Sequence, residues 1–328
     1  MARQRIVVTG SSGLVGTRLV PYLEFAGYDV IRLVRRKPTG PSERYWNPLD
    51  KEIDQSALDG AFGVINMAGV SIADKRWSAS TKQAIYNSRV NGTRLLASAI
   101  ANSPDPPTVL VSTSAVGFYG DGGSTVLTEA SENGSGFLAD VCEAWESAAD
   151  SARDVGIRVV HPRFGIVMAG EGGMLPRIAR LFRLGLGGRI GDGEQFMSWI
   201  DLDDLVRVLL YSVESKGSGE IINAVSPNPV TNREFTEALA ETLHRPAIIP
   251  VPEFGVRIAL GQMGEELVLV SQRAIPLALE KADFQFLYPT IQGSLRHELH
   301  PDTSARNLPA REIDVPAVTD HRLTASKQ

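Results

Sequence analysis

Cysteine is almost missing from this chain. The single Cys142 allows neither an internal disulfide nor a multi-cysteine metal centre. Histidine is scarce too, and His161, His244, His297 and His300 stand at no metal-ligand spacing, so no metal is expected. No stretch approaches the ~18 consecutive apolar residues of a membrane span. The start, Met1 to Arg5, passes straight into a short apolar run without the longer apolar region and cleavage site of a signal peptide. Positive charge is in deficit, with 33 Lys and Arg against 38 Asp and Glu and a net charge of −5, which argues against a nucleic-acid partner. These absences lead to the expectation of a cytoplasmic protein that meets a small-molecule substrate rather than nucleic acid or membrane, and they leave room for a homodimer.

What is present is ordinary globular composition, 43% hydrophobic and 22% charged over 328 residues, enough for one large domain and an appendage. Apolar runs alternate with helix-period segments: strands over 5–9, 29–34, 63–67, 108–113 and 157–161, helices over 14–26, 79–101 and 136–155. Strict alternation predicts an α/β fold, a Rossmann-type doubly wound parallel sheet. After Arg163 glycines thicken through 170–173 and 185–193, and a smaller substrate-side lobe is expected there and towards the C-terminus. Asp201 reads as the N-cap of a helix to Val213, and Thr231 to Glu234 as a capping box opening a helix to Leu243. The expected division is a dinucleotide-binding domain over 1–250, a small domain over 251–300 and a flexible tail over 301–328. The C-terminal piece is expected to pack on the substrate lobe, because Phe284, Phe286 and Tyr288 need an apolar partner.

The first turn carries the chemistry. Gly10, Gly13 and Gly16 stand between the first strand and the first helix, where the chain must turn tightly and approach a diphosphate without side chains in the way. An NAD site usually has an acidic residue after the second strand, accepting from the ribose 2′-hydroxyl. Here Arg35 and Arg36 occupy that place, and a guanidinium suits a 2′-phosphate. NADP(H) is therefore favoured over NAD.

With Val64 to Gly69, Arg76-Trp77, Ser88-Arg89, Ser112 to Gly120, Phe137 to Glu146, Gly185 to Gly191, Ser198 to Ile200, Gly264-Glu265, Ser271 to Pro276 and Asp283 to Phe286, the chain resembles the extended short-chain dehydrogenase/reductases. Within them it is similar to the atypical "epimerase family" branch that ends in a domain of unknown function. The resemblance implies that Gly10, Ser12, Gly13, Leu14 and Val15 surround the pyrophosphate and that Arg35 and Arg36 meet the 2′-phosphate. It further implies that Met67, Ala68 and Gly69 pass under the adenosine half, and that Ser112 to Ser114 end near the nicotinamide.

The resemblance breaks at the reaction centre. Working relatives carry Tyr-x-x-x-Lys on the helix after the fourth strand, and alignment on Glu146 puts Leu138 and Cys142 in those places. Neither can move a proton as that pair does. Tyr119 and Ser114 are the candidate substitutes, Cys142 reads as a buried small hydrophobe, and Arg89 is the candidate for pinning an anionic substrate group. Two readings follow: an NADP(H)-dependent oxidoreductase or epimerase-like enzyme with an unidentified small substrate, or a non-catalytic NADP(H)-binding sensor or scaffold.

Overall fold

The computed structural model describes residues 3–215, 217 and 219–300. The expected tail at 301–328 lies outside them. Nine strands form the central sheet: β1 (Arg5–Thr9), β2 (Asp29–Val34), β3 (Glu43–Asn47), β4 (Glu52–Ile53), β5 (Gly63–Asn66), β6 (Val109–Ser112), β7 (Ser114–Ala115), β8 (Arg158–Phe164) and β9 (Ile221–Ala224). Their order is β9-β8-β6-β5-β1-β2-β3-β4, with β7 also on β8, and every pairing is parallel except β3 with β4. The strand order reverses between β1 and β5, which is where an open α/β sheet leaves its ligand crevice.

Alternation along the strands assigns the two faces. Ile6 and Val8 of β1 join one core with Leu19 and Leu23 of α1 (Leu14–Phe25). Val7 joins the other with Leu96 and Ile100 of α2 (Ala79–Ala101). Such strands are buried on both sides, as parallel sheets require. The helix Leu202–Glu214 covers the first face through Leu205 and Leu209, and Asp201 caps it by accepting from the Asp203 N–H at 2.9 Å. The capping box at Thr231 and Glu234 is also formed.

Two departures from the sequence pattern concern the sheet edge and the reaction-side helix. Strands β3 and β4 are not legible in the sequence, because an edge ribbon of charged and aromatic residues lacks an apolar run. The helix expected over 136–155 is broken at Ala148 and Ala149, giving α3 (Phe137–Ser147) and a single turn, Asp150–Arg153.

Residues 251–300 share their core with the main body. Leu279 belongs to the first core, and Ile291 and Leu295 pack with Leu175, Phe182, Trp199, Phe235 and Leu239. The C-terminal piece thus packs on the lobe, Ile291 and Leu295 against Leu175 and Phe182, but the aromatic group lies elsewhere. Phe284 stands edge-on to Tyr211 at 5.8 Å, and Asp204 accepts from the backbone N–H groups of Leu287 and Tyr288, so this segment docks on the helix Leu202–Glu214 rather than on the glycine-rich lobe. That helix presents both an apolar ring partner and a buried carboxylate, and the lobe offers no such pair.

Candidate functional site

At the end of β1 the backbone turns through Gly10 at φ +68°, and a Cβ there would stand 2.9 Å from the carbonyl carbon and oxygen of Met67. Gly16 is tighter: its Cβ would lie 2.3 Å from the Gly10 oxygen and 2.6 Å from Ser11 Cα. Gly13 caps α1 without any side-chain hydrogen bond, and no acidic residue enters the first turn. The first amides of α1 are thus left for an anion, with the positive end of the helix dipole behind them. Ser12 is exposed on this turn and Val15 packs against the first core. Leu14 reaches outward: Cβ atoms on Gly172 and Gly173 would come within 2.8 and 3.2 Å of its methyl groups. The glycine-rich segment therefore lies against the phosphate turn.

Below the turn a buried polar chain ties the strand ends together. Thr9 Oγ1 donates to Asn66 Oδ1 (2.7 Å) and accepts from the N–H groups of Met67 and Ala68 (3.0 and 3.1 Å). Asn66 Nδ2 donates to Thr93 Oγ1 (2.8 Å) and to Ser112 Oγ (3.3 Å), and the Trp145 indole also donates to Thr93 (2.9 Å). Each such bond contributes about 1 kcal/mol, and more is lost if one partner is removed. Thr9, Asn66 and Thr93 were not singled out from sequence; a polar residue closing each of two apolar strands was the available signal. Ser112, expected near the cofactor, is fully enclosed with its hydroxyl engaged by Asn66, so it braces the strand ends from below.

The two arginines after β2 separate into different roles. Arg36 is bound to the enclosed carboxylate of Glu43 through two hydrogen bonds of 2.8 and 2.6 Å. These bonds, followed by the one from the Thr39 N–H, hold the Glu43 carboxyl down at about 2. Arg36 therefore fastens the loop to β3. Arg35 is exposed and carries no ion pair among the described residues, which leaves its fork available to a phosphate.

On the reaction side, Tyr119 is interior. Its hydroxyl donates to Asn223 Oδ1 at 2.7 Å and accepts from Arg163 Nη1 at 3.0 Å. Arg163 grips Glu146 through two bonds of 2.8 Å and lies 3.4 Å from the centre of the Phe118 ring. Burial pushes the Tyr119 phenol up against the opposing pull of Arg163. A hydroxyl so placed is a structural joint, which corrects the expectation of a proton donor. Cys142 is buried, and burial, then the nearby Glu146 charge, raises its thiol to about 11, so it is neutral. Leu138 and Cys142 both pack on Gly117. Ser114 is also buried, with its hydroxyl against the Cys142 sulfur.

Arg89, on α2, reaches the end of β5. Its Nη1 donates to the carbonyl oxygens of Val70 (3.0 Å) and Ile85 (3.4 Å), and its guanidinium lies 5.1 Å from the Trp145 ring centre. A Cβ on Gly69 would come within 3.1 Å of Arg89 Cζ. Burial pushes its pKa down.

The C-terminal residues close two sides of this region. Glu266 accepts from the Phe137 and Leu138 N–H groups at 3.1 and 2.8 Å, capping α3 from across the chain beside a cleft of about 290 Å³ that Leu138 and Gln272 also line. Nothing local in the sequence signals a contact of that separation. Further round, His297 meets Asp203 at 3.0 Å, Ser294 donates to Asp201 at 2.6 Å, and the Gly170 N–H donates to Glu298 at 2.6 Å. Ligand atoms of Asp201, His297 and Glu298 fall within 4.8 Å of one another, a grouping that residue spacing does not reveal. Burial raises the Asp201 carboxyl to about 8 and raises Glu298 as well, so protons serve this cluster.

A family model described as the NAD dependent epimerase/dehydratase family matches residues 6–224, and a domain of unknown function (DUF1731) matches 251–298. Epimerase family protein Mb2239 of Mycobacterium bovis is 42% identical over 295 residues, covering 90% of this chain and 97% of that one. The crystal structure of human epimerase family protein SDR39U1 with NADPH superposes with a TM-score of 0.82 at 30% identity, over 91% of this chain and 100% of that one. A nucleoside-diphosphate sugar epimerase of Corynebacterium glutamicum gives 0.77 at 40% identity, over 91% of this chain but 58% of its own length.

Proposed function

Because the chain belongs to the NAD-dependent epimerase/dehydratase family, we propose that it is an NADP(H)-dependent oxidoreductase or epimerase-like enzyme acting on a small molecule at the carboxyl ends of β1, β5 and β6. One observation carries this reading: a glycine turn in which added Cβ atoms would collide with backbone at Gly10 and Gly16, opening a helix with uncapped amides. Those residues fit a dinucleotide diphosphate, and Arg35 fits a 2′-phosphate. The human relative bound to NADPH supports the phosphorylated cofactor.

When bound, the nicotinamide would supply or accept hydride. The residues of this chain hold and orient it. The α1 amides receive the diphosphate, the Thr9–Asn66 network fixes the strand ends, and the segment 170–173 lies against Leu14 beside the turn. Of the two hydroxyls that the sequence offers for proton transfer, Tyr119 is fully engaged and Ser114 is enclosed beside the Cys142 sulfur. Proton transfer then falls to the substrate itself or to water.

A second reading, a non-catalytic NADP(H) sensor or scaffold, is favoured by the sealed Tyr119 and the neutral Cys142. Titration with NADPH and NADH, followed by a screen of pooled carbonyl compounds for loss of reduced-nicotinamide absorbance, separates the two. Tight NADPH binding with turnover supports the enzyme, and binding without turnover in any pool supports the sensor. Indifference to both dinucleotides refutes both.

A further inference from the structure

Two arginines set into the body of this fold are matched by carboxylates. Arg163 faces Glu146 and Arg207 lies 3.2 Å from Asp204, itself enclosed. Arg89 breaks that pattern. Its only hydrogen-bond partners among the described residues are two neutral carbonyl oxygens, both taken by Nη1. It forms no ion pair among the described residues, and the nearby Cys142 thiol is neutral. The Trp145 ring gives the cation a favourable π-face but no acceptor for its N–H groups. Arg89 is partly buried, and a guanidinium so placed without a counter-ion is completed by an anion.

We propose that Arg89 is a substrate-binding residue that takes a carboxylate through Nε and Nη2, beside the end of β5. The inference rests on the dinucleotide reading above and adds the class of substrate. The geometry favours this ligand in three ways. Nη1 is anchored to Val70 and Ile85, which fixes the plane of the guanidinium and leaves its side-on edge of two parallel N–H groups, the pattern that a two-oxygen planar acceptor matches. Gly69 lies against the guanidinium where any side chain would crowd it. The single positive charge is balanced by a monoanion, whereas a phosphate group, with a charge of about −1.5 to −2, would leave excess charge in a poorly solvated place. The cofactor's diphosphate has its own seat on the α1 amides, so Arg89 is left for the second ligand.

The test uses the full chain loaded with NADPH, with the fluorescence of the bound nicotinamide as readout. Oxamate, acetate and inorganic phosphate are titrated at constant ionic strength into the wild type, Arg89→Lys and Arg89→Met. The expected result is a saturable response to oxamate in the wild type, tighter than the response to phosphate. It weakens by about tenfold or more in Arg89→Met and by less in Arg89→Lys, which keeps the charge but loses the fork. NADPH affinity should change by less than about threefold, the loss of about 0.7 kcal/mol. Should Arg89→Met not fold, Arg89→Lys decides alone, an oxamate affinity equal to the wild type counting against the proposal. Absence of a carboxylate response in the wild type, a response unchanged in Arg89→Met, or a preference for phosphate overturns it. So does a tenfold loss of NADPH affinity with the oxamate response intact, which assigns the guanidinium to the dinucleotide. A wild type that binds no NADPH overturns the dinucleotide reading itself, so the two failures are distinct.

Discussion

The cofactor end and the reaction end of the crevice are built on opposite principles. At the cofactor end polar groups are left open: amides of α1 without caps, Arg35 without an ion pair, glycines where side chains would fill the space. At the reaction end nearly every polar group is spent inside the protein. Tyr119, Arg163, Glu146 and Asn223 satisfy one another, Glu266 occupies the start of α3, and Leu138 and Cys142 pack on Gly117. Open groups mark where a ligand completes the structure, and closed groups mark where the structure has completed itself. By that measure Arg89 is the place at the reaction end where something is still owed.

The comparison breaks most sharply at Gly16. Gly16→Ala places a methyl group 2.3 Å from the Gly10 oxygen, against backbone that cannot move without opening the turn. NADPH affinity should fall by about a hundredfold or more, equivalent to about 2.7 kcal/mol or more. Calorimetric titration checks this, and near-normal affinity would mean that the turn does not hold the diphosphate.

The next effect sharpens the difference between the two arginines. Arg35→Ala should weaken NADPH by about 10- to 100-fold, the value of charge-assisted hydrogen bonds to a phosphate, while leaving NADH nearly unchanged. Arg36→Ala should act less on cofactor choice and more on the loop, because it strands the enclosed Glu43 carboxylate. Equal losses for NADPH and NADH in Arg35→Ala would remove the argument for the 2′-phosphate.

These two regions were also unequally legible in the sequence. The turn was readable because its contacts are local: strand, glycines and helix follow one another, so spacing alone conveys the geometry. The capped helices at Asp201 and Thr231 were readable for the same reason. The reaction end was not, since Tyr119 meets Asn223 across 104 residues and Glu266 meets Leu138 across 128. Residue type told only that Tyr119 could donate a proton, and burial decided that it does not serve there. The missing edge strands β3 and β4 have another cause. Their residues form no apolar run, and pairing, of β3 to β2 and of β4 to β3, rather than intrinsic pattern makes them strands.

Tyr119→Phe tests the closed end. Removing the hydroxyl leaves Asn223 Oδ1 and one Arg163 N–H without their partner inside the protein, at a cost of about 1–3 kcal/mol in stability. NADPH affinity should stay within about threefold of the wild type, or roughly 0.7 kcal/mol. A variant of unchanged stability that loses turnover instead would restore Tyr119 as the proton donor.

The smallest effect lies in the cluster that joins the last helix to the segment over the phosphate turn. Burial raises the Asp201 carboxyl to about 8, so the native state holds a proton that the unfolded chain releases near the ordinary value of about 4. A group whose native pKa is raised gives stability that is full at low pH and is lost as pH climbs towards 8. The hydrogen bond to Asp203 raises His297 against its own burial, burial raises Glu298, and Asp203 and Arg18 stand beside them as the compensating ion pair. Asp201→Asn keeps the cap on the Leu202–Glu214 helix and the contact to Ser294 but has no proton to lose. Its melting temperature should match the wild type near pH 5 and exceed it by about 2–4 °C at pH 8.5, the shift of about 1 kcal/mol in a chain of this length. Parallel melting profiles across that range would show that the proton held between these carboxyls belongs to another group.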